Sequence, residues 1–185
     1  MVEEKQVLLT REELGKTLHR MAHEVLEKTD NAADMVLIGI RSRGVFLARR
    51  MARKIADVTK SAPALGVIDV TPYRDDRSLN QDSSAVGAFA EQVAVDEKTV
   101  VLIDDVIFRG RTVRAAMEAV GRLGAPKRIL VAVLVDRGDR QLPIRADIVG
   151  KNFEAREDQR VNVLLEEIDG VDQINVTLWQ RRSAV

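Results

Sequence analysis

Two adjacent carboxylates, Asp104 and Asp105, follow the apolar run Val100 to Ile103. Gly110 comes a few residues later, and a helical pattern opens at Thr112. Neighbouring carboxylates can bind sugar hydroxyls or a hydrated Mg²⁺ ion, and the amides of a glycine-bearing turn at a helix start can cradle phosphate. The combination suits a phosphorylated sugar. Two further segments place arginine beside glycine after an apolar run: Arg41-Ser42-Arg43-Gly44 and Asp136-Arg137-Gly138. These add cations and amides for an anion. Each segment also has a plainer reading: a turn cap for the acid pair, a solvated helix start for Arg41 to Gly44, a surface ion pair for Asp136 and Arg137. The phosphate-loop pattern GxxxxGK[ST] and the dinucleotide pattern GxGxxG are both absent, which argues against ordinary NTPases and dinucleotide enzymes. There is no HExxH and no Cys, so nothing suggests a zinc site or a disulfide.

The surrounding pattern predicts the scaffold. Met35 to Ile40, Leu65 to Val70, Val100 to Ile103 and Arg128 to Val135 are short apolar runs, as expected of strands covered on both faces. Helical periodicity runs over Arg11 to Lys28, Val45 to Asp57 and Thr112 to Leu123, with Thr10 and Glu13 forming a capping box before the first. Strand–helix–strand alternation predicts an α/β fold with a central, mostly parallel sheet flanked by helices. Ligands of such sheets bind beyond the carboxyl ends of the strands, where all three arginine- or acid-bearing segments emerge. Thr71 to Val86 is polar, aperiodic and longer than a connection requires, the profile of a lid. After Asp136 the pattern turns β-rich, with short strands expected at Ile148 to Gly150, Val161 to Leu165 and Ile174 to Leu178. No repeat or linker divides the chain, so residues 1–185 are expected to form a single domain.

Composition narrows the function classes. The chain has 45% hydrophobic and 31% charged residues, as soluble globular proteins do, and no apolar run reaches the roughly 18 residues of a membrane span. The acidic start MVEEKQVLL lacks a secretory core, and together with the lack of Cys this favours the cytoplasm. Twenty-nine basic residues balance 29 acidic ones, so nucleic-acid binding would need a locally basic face. With 3% aromatic residues, a base-stacking sheet surface is not expected.

The segments GIRSRG, DVTPYRDD, IDDVIFRGRTVRAAMEAV and VLVDRGDRQLPIRADIVGKN, in this order, resemble the PyrR family of type I phosphoribosyltransferases. These proteins combine a pyrimidine-operon regulator with uracil phosphoribosyltransferase. The resemblance implies the type I phosphoribosyltransferase fold with a small C-terminal β hood. It implies transfer of ribose 5-phosphate from PRPP to uracil, giving UMP and diphosphate with Mg²⁺. It also implies binding of the leader mRNA of pyrimidine genes in response to UMP or UTP, by a homodimer or homotetramer. Carried over residue by residue, Asp104 and Asp105 hold the ribose hydroxyls and, through water, the Mg²⁺. Val106, Ile107, Phe108, Arg109, Gly110, Arg111 and Thr112 form the 5′-phosphate loop. Arg41, Ser42, Arg43 and Gly44 form the pyrophosphate loop, Tyr73, Arg74 and Asp75 belong to the closing loop, and Arg137 lies in the hood over the base. His19, Arg20, His23, Arg145 and Lys151 match basic positions of the RNA-binding face. The competing reading is a purely catalytic phosphoribosyltransferase for uracil or another base, without RNA binding.

Two departures from the family pattern matter. Phe108-Arg109-Gly110-Arg111-Thr112 stands where the family has Tyr-Thr-Gly-Arg-Thr, and Asp139 stands where the family has His. Arg109 removes a hydroxyl that the family offers to the 5′-phosphate, and a guanidinium cannot copy that short contact. The expectation is that nucleotide binding survives while catalysis is weakened.

Overall fold

The computed structural model describes residues 5–29, 31–70 and 93–178. Tyr73, Arg74 and Asp75, with the rest of the expected closing loop, lie outside the described residues. Five parallel strands form the central sheet in the order β3 (Ala64–Ile68), β2 (Met35–Ile40), β4 (Thr99–Ile107), β5 (Arg128–Asp136) and β6 (Ile148–Asn152). Helices α1 (Arg11–Glu27) and α2 (Arg43–Thr59) cover one face and α3 (Arg111–Leu123) the other. The apolar runs divide between the faces with the period of two that a pleated strand imposes. Val101 and Ile103 pack under α1 and α2, whereas Val100 and Leu102 pack under α3.

A second, antiparallel sheet pairs β1 (Gln6–Leu9) with β8 (Gln173–Leu178), and β8 with β7 (Gln159–Leu164). This is the expected hood, with two corrections. Its third strand comes from the N-terminus, where the sequence pattern predicts no element. Ile148 to Asn152 is not part of it, because β6 extends the core sheet alongside β5. The four-residue helix α4 (Glu166–Asp169) links β7 to β8.

The capping box of α1 forms as expected: the Thr10 side chain accepts from the Glu13 amide and the Glu13 carboxylate accepts from the Thr10 amide. Two boundaries move in ways that affect the site. β4 runs through the acid pair to Ile107 instead of ending at Ile103, because pairing with β5 continues as far as Ile107 and Asp136. Helix α2 begins at Arg43 instead of Val45. Gly44 permits this early start: a Cβ there would lie 2.3 Å from the Ile103 carbonyl oxygen. The first turn of α2 is therefore pressed against β4 just before Asp104.

Candidate active site

Strands β2 and β4 are neighbours, but their chains leave in opposite directions, β2 into α2 on one face and β4 into α3 on the other. Such a reversal opens a crevice at the carboxyl ends of the two strands. The structure has a cleft of about 520 Å³ there. It brings together Arg41, Ser42, Arg43, Asp104, Asp105, the whole run Val106 to Thr112, and Arg137. Gly44 packs behind this wall against β4.

The two helix starts at the cleft differ from that of α1. Ser42 before α2 and Gly110 before α3 make no side-chain cap hydrogen bond, whereas α1 is fully capped. The first amides of an uncapped helix carry the positive end of its dipole and suit a phosphate. Gly110 has φ +90°, a left-handed conformation that other residues adopt only with strain, and this turns the chain from β4 into α3.

Six arginines line the cleft, namely Arg41, Arg43, Arg109, Arg111, Arg137 and Arg160, against the two aspartates. A chain of zero net charge thus concentrates positive charge where the amides point. Asp104 is buried and its Oδ1 accepts from the Asp105 amide at 2.9 Å, while Asp105 is half-buried. The Arg41–Ser42 peptide bond is cis, and Arg41 is tied to Asp69 at the end of β3 by a 3.2 Å ion pair.

Phe108 lies under two guanidinium groups. The Arg137 Cζ is 3.8 Å from its ring centroid and the Arg109 Cζ 5.0 Å. Burial holds the Arg137 guanidinium below its ordinary pKa; Asp139 raises it and the like charge of Arg109 lowers it. Its Nε is buried without a hydrogen-bond partner. Arg109 remains exposed, so the residue that departs from the family pattern sits on the aromatic ring and faces the cleft.

Sequence reasoning missed three contributors. Arg140 joins the segment after β5 to the loop between β4 and α3, donating to Asp136 Oδ2 (2.5 Å), Phe108 O (2.6 Å), Gly138 O (3.0 Å) and Ile144 O (3.0 Å). The only local hint was its spacing of four from Asp136. Arg160 and Val161 reach the cleft from β7. No local signal could place them, since their position depends on how the second sheet sits.

The basic positions expected to meet RNA lie elsewhere. His19 and His23 are exposed on one side of α1, with their Nε2 atoms 3.2 Å apart. Arg20 is exposed but engaged: it donates to the carbonyls of Val149 (2.9 Å) and Gly150 (2.7 Å) and pairs with Glu24, which ties α1 to β6. Lys151 is exposed on β6, and Arg145 is exposed in the segment before it.

The phosphoribosyl transferase domain family matches residues 7–165, and the chain belongs to that family. The fold agrees: a hypoxanthine phosphoribosyltransferase from Staphylococcus aureus superposes with a TM-score of 0.70 at 19% identity, over 94% of this chain and 90% of the other. Within the family, the kinship is with proteins named bifunctional protein PyrR. One from Chloroflexus aurantiacus is 49% identical over 94% of this chain and 95% of its own length, and one from Pelotomaculum thermopropionicum is 45% identical over 94% and 96%.

Proposed function

We propose that the chain is a pyrimidine regulator of the PyrR type that also transfers phosphoribosyl from PRPP to uracil. The observation that carries this reading is the cleft itself. One acid pair, two uncapped helix starts and six arginines converge at the carboxyl ends of β2 and β4, in a chain nearly half identical to a bifunctional PyrR protein.

The transfer breaks the bond between ribose C1 and pyrophosphate through an oxocarbenium-like state and needs no covalent nucleophile. The protein must bind two anionic groups, hold the ribose and stabilise the departing charge. Asp104 and Asp105 accept from the ribose hydroxyls. The amides of Gly110, Arg111 and Thr112 receive the 5′-phosphate. Arg41, Ser42 and Arg43 face the pyrophosphate, and Arg137 with the backbone after it borders the base. Among the described residues no group of three or more His, Cys, Asp or Glu side chains is placed to hold a metal. Mg²⁺ is commonly held by one or two carboxylates together with substrate phosphates, and Asp104 and Asp105 would supply the carboxylates. Bound there, Mg²⁺ would offset negative charge on the pyrophosphate.

The regulatory arm rests on His19, His23, Arg145 and Lys151, with Arg20 fixing α1 to β6. A homodimer or homotetramer would repeat this basic set and strengthen contact with leader mRNA. UMP or UTP in the cleft serves as the signal. Such a role belongs in the cytoplasm, and no helix among the described residues is long and apolar enough to cross a membrane.

A gel shift with pyrimidine-leader RNA, with and without UMP, tests the regulatory arm. UMP is expected to tighten binding; an unchanged affinity would remove the sensor role, because a ligand shifts an equilibrium only through differential affinity.

A further inference from the structure

Arg43 opens α2 and lines the cleft, yet its guanidinium is already engaged. Its Nη2 donates to both carboxylate oxygens of Asp169, at 3.0 and 3.1 Å, across 126 residues of sequence. Asp169 ends α4 and is itself fixed to the main chain. Its Oδ2 accepts from the Leu165 amide at 2.9 Å, and its own amide donates to the Leu165 carbonyl at 2.7 Å. The same turn is clamped to α2 further along, where Arg50 bonds Glu167 (2.6 and 2.9 Å) and Asp172 (2.8 and 3.0 Å).

Arg50 holds both its partners through paired donors, and Arg11 adds an ion pair to Glu166 of the same turn. The Arg43 pair has a different geometry. A single nitrogen is shared between two oxygens, and Nε is buried without a partner. The fork geometry common in arginine–carboxylate pairs is not used here. This pair instead fixes where a cleft-lining cation stands.

We propose that Asp169 is a positioning residue for pyrophosphate recognition: it holds Arg43 at the cleft, so that the guanidinium is already ordered when the pyrophosphate group arrives. The inference rests on the reading of Arg41 to Gly44 as the pyrophosphate loop. An arginine left free would lose its rotamer freedom on binding, which weakens affinity by roughly five-fold.

The test is calorimetric titration of the full chain with PRPP and with UMP, both in Mg²⁺, for wild type, Asp169→Ala, Arg43→Ala and Glu167→Ala. UMP carries the 5′-phosphate but no pyrophosphate. Asp169→Ala is expected to weaken PRPP about five-fold and UMP less than about two-fold. Glu167→Ala, which disturbs the same turn without touching Arg43, should leave both within about two-fold. Equal losses for PRPP and UMP in Asp169→Ala, or the same loss in Glu167→Ala, would reduce Asp169 to a structural part and overturn the proposal. Unchanged or tighter PRPP binding in Asp169→Ala, alongside a loss in Arg43→Ala, would overturn it while leaving the pyrophosphate-loop reading intact. If Arg43→Ala also bound PRPP normally, both would fall.

Discussion

Replacing Arg140 with Met should damage both stability and the cleft. Arg140 is 18% exposed and uses four N–H groups, three on main-chain carbonyls and one on Asp136, whose side chain is 19% exposed. Methionine preserves most of the aliphatic stem and removes every donor. Hydrogen bonds from a charged group contribute about 1.5–3 kcal/mol each, but water can reach some of the orphaned acceptors here, so the net loss should be about 3 kcal/mol. For a domain of this size that lowers Tm by roughly 6–12 °C. The same substitution frees Phe108 O, the carbonyl just before Arg109, so the loop between β4 and α3 loosens and, on the proposed reading of that loop, UMP affinity should fall about ten-fold or more. Thermal unfolding and UMP titration measure the two effects. Arg145→Met, an exposed neighbour in the same segment, should change stability by less than about 0.5 kcal/mol. A Tm shift for Arg140→Met no larger than that of Arg145→Met, with UMP affinity intact, would refute the idea that Arg140 braces the loop.

Four further outcomes follow from other contacts in the structure. Arg50→Met leaves Asp172, 9% exposed at its side chain, without its cation, and should cost about 3 kcal/mol in denaturant unfolding at neutral pH. Hydrogen bonding to Arg50 holds the Glu167 carboxyl below its ordinary 4.5; burial raises the Asp172 carboxyl, but hydrogen bonds from Arg50 and the Glu166 amide, with the charges of Arg50 and Arg11, together hold it below 3.8. Carboxylates depressed in the folded state stabilise it fully above those ordinary values and lose that contribution as pH falls through the folded ones. The gap between wild type and Arg50→Met should thus close below about pH 4, which pH-dependent melts would show. Gly44→Ala places a methyl 2.3 Å from the Ile103 carbonyl and should cost about 3 kcal/mol or abolish folding, as read by circular dichroism. Arg109→Thr restores the hydroxyl of the family loop and should raise turnover about ten-fold in a pyrophosphate-release assay; an unchanged rate would mean that Arg109 does not limit catalysis.

What was legible in the sequence was what local pattern controls. Strand β2, Val100 to Ile103 of β4 and Ile129 to Val135 of β5 show as apolar runs because helices cover both faces, and α1 is announced by Thr10 and Glu13. The acid pair, Arg41 to Gly44 and the glycine turn could be picked out by residue type and spacing, and they meet at one cleft. What stayed hidden depends on distant partners. The segment Gln6–Leu9 is a strand only because Ile174 to Val176, near the far end of the chain, pairs with it. Strand β4 continues through two aspartates because β5 continues beside it. Arg140 and Arg160 each acquire their place from another segment, and the hold of Asp169 on Arg43 spans 126 positions.

The central claim is that the arginine-ringed cleft, through its acid pair, transfers phosphoribosyl to uracil. It is tested most directly by following conversion of labelled uracil to UMP with PRPP and Mg²⁺, in wild type and in Asp104→Asn/Asp105→Asn. The account predicts uracil-dependent UMP formation by wild type, with turnover below about 1 per second because Arg109 replaces the phosphate-binding hydroxyl. It predicts a loss of at least about a hundred-fold in the double variant, which still folds. UMP formation that is indifferent to the loss of both carboxylates would contradict the claim.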